Sequence, residues 1–315
     1  MLKHFLAAAL VVAFGAASSG QTRSAVPRTP WGHPDLQGRW TNSTVTLVER
    51  PVEFGAKEYF TEEEAAEYSK TALERFLAAI NFTEEAALSG EFEPGVWVEE
   101  RSIVPTRRTS LIVGPSGRVP ALTPNARARV DARNAQRKQS PDDGPEARAL
   151  NERCLWFPTG GPPLMPAIGY NSNHQIVQTP THVVIYTEMG SAVRVIPLDG
   201  RPHLPSAVRR WQGDSRGRFE GDTLVVETTN FNDKVQFRGS SENLQLVEQF
   251  RRIDGHTIMY QFTARDPTSW TDSWTAEVPM RRLDELIYEF ACHEGNRGLA
   301  NILSVARAVE KNDSR

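Results

Sequence analysis

The chain has 315 residues, a formal net charge of −3 and two cysteines. That length accommodates one large or two small domains. A nearly balanced charge, with no long basic tract and no known nucleic-acid module, excludes the concentrated basic face a nucleic-acid partner requires.

Lys3 and His4 precede an apolar, small-residue run from Phe5 to Ala17, and Ser18, Ser19 and Gly20 follow it. This order is that of a secretory signal peptide over residues 1–20. The run is too short to cross a hydrocarbon core of about 30 Å comfortably, which disfavours a retained anchor. No later segment is long and apolar enough to be a stable membrane span after processing. The expected location is periplasmic or secreted. In an oxidising compartment the pair Cys154 and Cys292 reads as one disulfide, the alternative being two buried thiols.

Residues 21–145 read as an N-terminal region with a first strand and helices. A polar lead-in over 21–34 gives way to ordered structure at Asp35-Leu-Gln-Gly-Arg-Trp40. Thr61 and Glu64 form a capping box, and Ala65, Tyr68, Ala72, Phe76 and Ile80 make one apolar stripe, which predicts a helix. Thr109–Val113 and Arg118–Leu122 look like two short strands around Gly-Pro-Ser-Gly. Pro124 suits the start of a solvated helix over Asn125–Lys138. Ser140-Pro-Asp-Asp-Gly-Pro145 is the best candidate boundary.

Residues 146–315 read as an antiparallel β domain with a closing helix. His174–Gln178, His182–Glu188 and Val193–Ile196 are β-branched runs separated by turn residues. Arg218–Glu227 and Arg252–Gln261 are hairpins turning near Gly221 and Gly255. Trp274–Met280 and Leu286–Cys292 add two strands, and Gly298–Val309 closes as a helix. Strands joined by tight turns leave no room for the long crossovers of a parallel sheet. The fold class is therefore mainly β, an antiparallel meander forming a barrel or half-barrel, with a helical N-terminal region. Gly38-x-Trp40 resembles the lipocalin signature, in which a Trp plugs one barrel end.

Gly213-Asp-Ser-Arg-Gly217 fits the serine-hydrolase elbow pattern, but it leads into a hairpin where the elbow needs a strand turning into a helix. Ser215 is therefore not expected to be a nucleophile. Arg216 keeps interest because its donor fork suits a carboxylate or carbonyl oxygen. In Tyr288-Glu-Phe-Ala-Cys-His-Glu-Gly-Asn296, period-two alternation places Glu289 and His293 on one face. A His beside a carboxylate suits acid–base work, the alternative being a structural hydrogen-bond cluster. In His182–Glu188, Tyr186 and Glu188 share a face opposite Val183 and Ile185. Arg194, just past the Gly190 turn, is placed to pair with Glu188. No histidine pair has the spacing that puts two ligands on one metal from one element, so no metal and no cofactor are expected.

Pro197-Leu-Asp-Gly-Arg-Pro-His203, Trp211-x-Gly-Asp-Ser-Arg-Gly217, Glu220-Gly-Asp-Thr-Leu-Val-Val-Glu-Thr-Thr-Asn-Phe231 and Cys292-His-Glu-Gly-Asn296 together resemble a large family of uncharacterised exported bacterial proteins. The resemblance covers roughly residues 150–305 and the Asp35–Trp40 start, and it implies a periplasmic or secreted setting. This chain departs from the family pattern at Gly190-Ser191-Ala192, where a polar turn would precede Arg194.

The expected function is proton-transfer chemistry (isomerisation, elimination or hydration) by an enzyme acting on a small apolar or aromatic molecule. Glu188 and His293 are the acid–base candidates. Tyr186, Arg194, His203, Arg216 and Glu294 are the substrate-binding candidates. The rival is a lipocalin-like carrier that holds a hydrophobic ligand without changing it.

Overall fold

The computed structural model describes residues 26–80, 103–169 and 171–313; the leader expected over residues 1–20 lies outside them. Nine strands form one antiparallel sheet: β1 Gly38–Thr41, β2 Asn173–Gln178, β3 His182–Thr187, β4 Ala192–Pro197, β5 Asp214–Glu220, β6 Thr223–Thr229, β7 Gln245–Arg252, β8 Thr257–Arg265 and β9 Trp274–Arg282. Their spatial order is β4-β3-β2-β1-β9-β8-β7-β6-β5. The sheet curls until its two end strands approach each other. A Cβ added to Gly217 on β5 would lie 2.8 Å from Ile196 Cγ2 on β4. The result is a nearly closed barrel with one unpaired seam, between β4 and β5.

Period-two alternation builds the interior. Leu246, Glu248, Phe250 and Arg252 of β7 are buried while their neighbours are exposed, and β8 buries Ile258, Tyr260, Phe262 and Ala264. Trp40 is completely buried and donates its indole N–H to Leu36 O at 2.9 Å. The guanidinium carbons of Arg252 and Arg282 lie 5.4 and 5.8 Å from its ring centre, a cation–π sandwich. The interior is thus filled by side chains.

Among the described residues three α-helices lie outside the barrel: α1 Glu62–Ile80, α2 Pro124–Gln139 and α3 Gly298–Asp313. The capping box of α1 forms in both directions, Glu64 N–H to Thr61 Oγ1 at 3.2 Å and Thr61 N–H to Glu64 Oε2 at 2.8 Å. Tyr68 on its stripe packs against Phe54 and Phe60. Thr123 caps α2, accepting from Ala126 N–H, and Pro124 occupies the first turn.

Two expected strand regions are corrected. Residues 109–113 and 118–122 do not pair with each other; they make single bridges, Ile112 to Ala276 and Leu122 to Trp270. The reason is the shortness of β1, which pairs β9 only at Arg281 and Arg282. The rest of that edge of β9 is covered instead by residues 111–113, through Val113 N–H to Thr275 O and Glu277 N–H to Leu111 O. Leu286–Cys292 is likewise no strand. It is an irregular segment held against the β3–β4 turn by side chains described below.

One polar group interrupts the apolar interior. Arg194 on β4 donates to both carboxylate oxygens of Glu248 on β7, at 2.6 and 3.1 Å, and both side chains are buried. The expected partner, Glu188, is not the one found. Arg194 and Ile196 point inward on β4, whereas Glu188 lies past the end of β3 on the far side of the turn. Tyr260 O–H donates to Glu248 Oε1 at 2.9 Å and accepts from Leu164 N–H at 2.9 Å. Burial first, then the Glu248 charge, raises the Tyr260 hydroxyl well above its ordinary pKa, so it stays a donor.

Removing one member of such a pair strands the other charge in a low-dielectric site, at a cost of about 3–5 kcal/mol, whereas apolar replacement of both is often nearly neutral. Urea unfolding is expected to show that loss for Glu248→Gln. Arg194→Met combined with Glu248→Met should lose much less. Equal stability for the single and double variants would contradict a desolvated pair.

Candidate functional site

The seam is where the barrel is accessible. A cleft of about 670 Å³ opens there, between the facing edges of β4 and β5 and the loop over residues 154–161. Arg194 contributes to it from the interior side, and Val193 and Val195 from the outer face of β4. Trp156, Phe157 and Trp211 give it an aromatic wall.

That wall is held in place from outside. Cys154 is bonded to Cys292, 138 residues away, which ties the loop to the C-terminal segment. A loop of that length corresponds to about 5 kcal/mol of denatured-state entropy in the chain-entropy account. Phe157 packs edge-on against Phe290, with ring centres 5.1 Å apart. Gly190 has φ 71°, and a Cβ there would lie 2.7 Å from Phe157 Cδ2, so this turn needs glycine for both conformation and space.

The candidates on the β3–β4 turn anchor the same segment. Glu188 is buried, accepting from Asn173 Nδ2 at 2.8 Å and from Tyr288 N–H at 3.3 Å. Tyr186 faces outward, with its hydroxyl 3.4 Å from Tyr288 O and 3.5 Å from Ser191 Oγ. Ser191 Oγ accepts from Phe290 N–H at 3.2 Å. His293 and Glu294 are exposed on the turn after Cys292. None of Tyr186, Glu188, His293 or Glu294 lines the seam cleft. The face-sharing argument for Glu289 and His293 required a strand, and that segment has none.

A different cluster meets at the cleft. Asp214 at the start of β5 is buried and accepts three bonds: from Leu204 N–H at 3.0 Å, His203 Nδ1 at 3.0 Å and Arg216 at 2.8 Å. Burial pushes its carboxyl up, but the Leu204 and His203 hydrogen bonds and the Arg216 charge outweigh this and hold it below the ordinary aspartate value. An ionised Asp214 has only acceptors, so His203 Nδ1 is the donor of that bond and Nε2 is the ring nitrogen left unengaged by Asp214. Arg216 also donates to Pro202 O at 3.0 Å and Ser215 O at 2.7 Å. Two motifs far from each other in character, Pro197–His203 and Gly213–Gly217, are thereby clamped into one structure. Arg201 and Leu204, on either side of His203 in the chain, line the cleft together with Asp214 and Arg216; His203 itself stands behind that lining.

His203, Arg216 and Arg194 were legible as candidates; Asp214 appeared only as one position of the Gly213–Gly217 motif. Ser215 lies within β5, not at an elbow, and its hydroxyl pairs with Thr228 at 2.9 Å. Glu248, Tyr260 and His174 were missed. The available signal for Glu248 was a lone carboxylate in phase with Leu246 and Phe250. Among the described residues no three His, Cys, Asp or Glu side chains are placed to hold a metal ion, and no helix is long and apolar enough to cross a membrane. No protein-family model, curated protein or solved structure matches this chain.

His174, on β2, completes the buried polar group. It is fully buried, its Nδ1 lies 3.0 Å from Thr187 Oγ1, and its Nε2 has no protein partner. Burial, then the nearby Arg194 charge, lowers its pKa from 6.5 to about 3. The unfolded chain therefore binds a proton that the folded chain refuses between pH 6.5 and about 3. Stability rises with pH across that window, by about 1.4 kcal/mol per unit, and levels off above it. Urea midpoints measured from pH 7 to 4.5 should fall accordingly, and His174→Gln should flatten that fall. An unchanged slope in the variant would show that His174 is not its source.

Proposed function

We propose that the protein is an exported, cofactor-independent enzyme that carries out proton transfer on a small, largely apolar or aromatic molecule bound in the seam cleft. The observation that carries this reading is the His203–Asp214 couple beside an aromatic-walled cleft. A buried, ionised carboxylate on Nδ1 fixes the tautomer and orientation of the ring, which is what a general base needs. His203 Nε2 would take a proton from an activated C–H or O–H of the ligand and return it at a second position, as in isomerisation, or to a leaving group, as in elimination. Asp214 would stabilise the imidazolium formed in between. The aromatic wall supplies a dry, stacking surface for an apolar body.

The export part of the reading rests on the leader-like residues 1–20 and on the Cys154–Cys292 disulfide, which suits an oxidising compartment. The motif resemblance to exported bacterial proteins supports the same setting.

One observation favours a carrier as the second reading. The donors around Asp214 leave it a weak base, and Glu248, the acid paired with the cleft residue Arg194, is spent on Arg194 and Tyr260. A carrier retains its ligand stoichiometrically without chemical change.

Incubating the protein with aromatic and cyclic candidates in heavy water, followed by mass spectrometry, distinguishes these outcomes. Deuterium gain or product formation is expected, falling about 10²–10⁴-fold in His203→Ala. Glu188→Gln and His293→Ala should keep turnover. Full turnover in His203→Ala would remove the assignment, and bound compounds recovered unchanged would establish the carrier.

A further inference from the structure

The cleft is lined by four arginines, and three of them are already occupied. Arg194 is neutralised by Glu248 through two hydrogen bonds. Arg216 is held by Asp214 together with two backbone carbonyls. Arg201 is folded back onto both oxygens of Asp199, two residues before it. His182, on the rim, has its Nδ1 2.9 Å from Thr181 Oγ1.

Arg210 differs. Its backbone is firmly placed: its N–H donates to Asn230 O, and its carbonyl accepts from Asn232 and Gly213. Its side chain is exposed, and among the described residues its guanidinium has no acid and no hydrogen-bond acceptor. It lies in the chain directly before Trp211, which lines the same cleft. Asp214, the acid in the cleft lining, is matched to Arg216, and the lining residues Arg194 and Arg201 are matched to Glu248 and Asp199 outside it. The cleft lining thus carries one positive charge beyond these internal pairs, on the residue directly before Trp211 in the chain.

We infer that the molecule bound in the seam cleft is an aromatic or cyclic oxyanion, a carboxylate or sulfonate, whose charged group is taken by Arg210 while its ring lies against Trp211 and Trp156. This rests on the reading of the cleft as the ligand site and adds the ligand's charge and the residue that selects for it. The guanidinium fork meets two oxygens of a carboxylate or sulfonate at once, which an uncharged analogue cannot offer. With the anion anchored at Arg210, the ring is held between that end of the cleft and the β4–β5 seam. Arg210 touches the ligand without taking part in proton movement, so its loss changes affinity rather than the chemical step.

Two fluorescent probes differing by a single charged group test this on the intact protein. They are 8-anilinonaphthalene-1-sulfonate and its uncharged counterpart N-phenyl-1-naphthylamine. The sulfonate is expected to bind at least tenfold tighter at low salt, about 1.4 kcal/mol. Arg210→Gln should abolish that preference while leaving the uncharged probe unaffected, and Arg210→Lys should restore part of it. Arg210 is exposed, so unchanged urea midpoints are expected for both variants. Val195→Trp, which places a large ring on the outer face of β4 at the cleft, should weaken both probes together. Equal binding of the two probes, or sulfonate binding indifferent to Arg210→Gln, would overturn the anion inference while leaving the cleft as the site. Binding of both probes indifferent to Val195→Trp would overturn the cleft as the site, and this inference with it.

Discussion

Arg194 and Glu248 face each other inside a barrel whose other interior side chains are largely apolar. Two unit charges in such a setting are tolerated only when each satisfies the other and the remaining lone pairs find donors. Here the two-point contact, with Tyr260 on one carboxylate oxygen, meets that requirement. The geometric consequence is larger than the energetic one. β4 ends the sheet and has a hydrogen-bonded neighbour only on the β3 side. Its one inward cation reaches across the barrel to β7, fixing where this end strand lies relative to β5. The width of the seam, and so the cleft that opens there, follows from that placement.

The same polar group explains the state of His174. Its ring is fully buried close to a guanidinium, and both burial and like charge disfavour protonation. Around Arg194 the interior therefore holds one positive charge balanced by one negative charge, with a neutral histidine and a protonated tyrosine completing the group. The outer parts of the site are built by different means. The disulfide, the Phe157–Phe290 contact and the bonds from Glu188 and Ser191 fasten one wall, while Asp214 gathers the turn carrying His203 onto β5. An open seam in a barrel leaves two strand edges exposed to unwanted pairing. Here the loop over 154–161 and the turn from 197 to 204 line the region beside those edges.

Much of the architecture could be read from the residues because it depends on local rules. The Thr61–Glu64 box, Pro124 at a helix start, the Gly221 and Gly255 hairpins and the alternation of β2 to β4 all act within a few residues. The disulfide followed from having two cysteines and the expectation of an oxidising setting. Two short stretches misled for a common reason: residues 109–122 and 286–292 have strand-like composition, but their partners are set by which edges the sheet leaves open. Period two also cannot say which face of a strand is inside when both faces carry polar residues. Gln245–Arg252 offers Leu246-Glu248-Phe250 on one face and Val247-Gln249-Arg251 on the other, and only closure of the barrel decides between them. For the site, His203 and Arg216 were identifiable as chemical types in distinctive motifs. Their meeting at Asp214, and the pairing state that singles out Arg210, arise from three-dimensional contacts no spacing encodes.

A crystal structure of the protein grown with an aromatic carboxylate would address the site most directly. The account requires density for the ring between Trp156 and Trp211, its carboxylate on the Arg210 guanidinium, and the Arg194–Glu248 pair intact below it. A ligand found along the barrel axis with that pair broken, or bound on the outer surface near His293 with the seam closed, would contradict it.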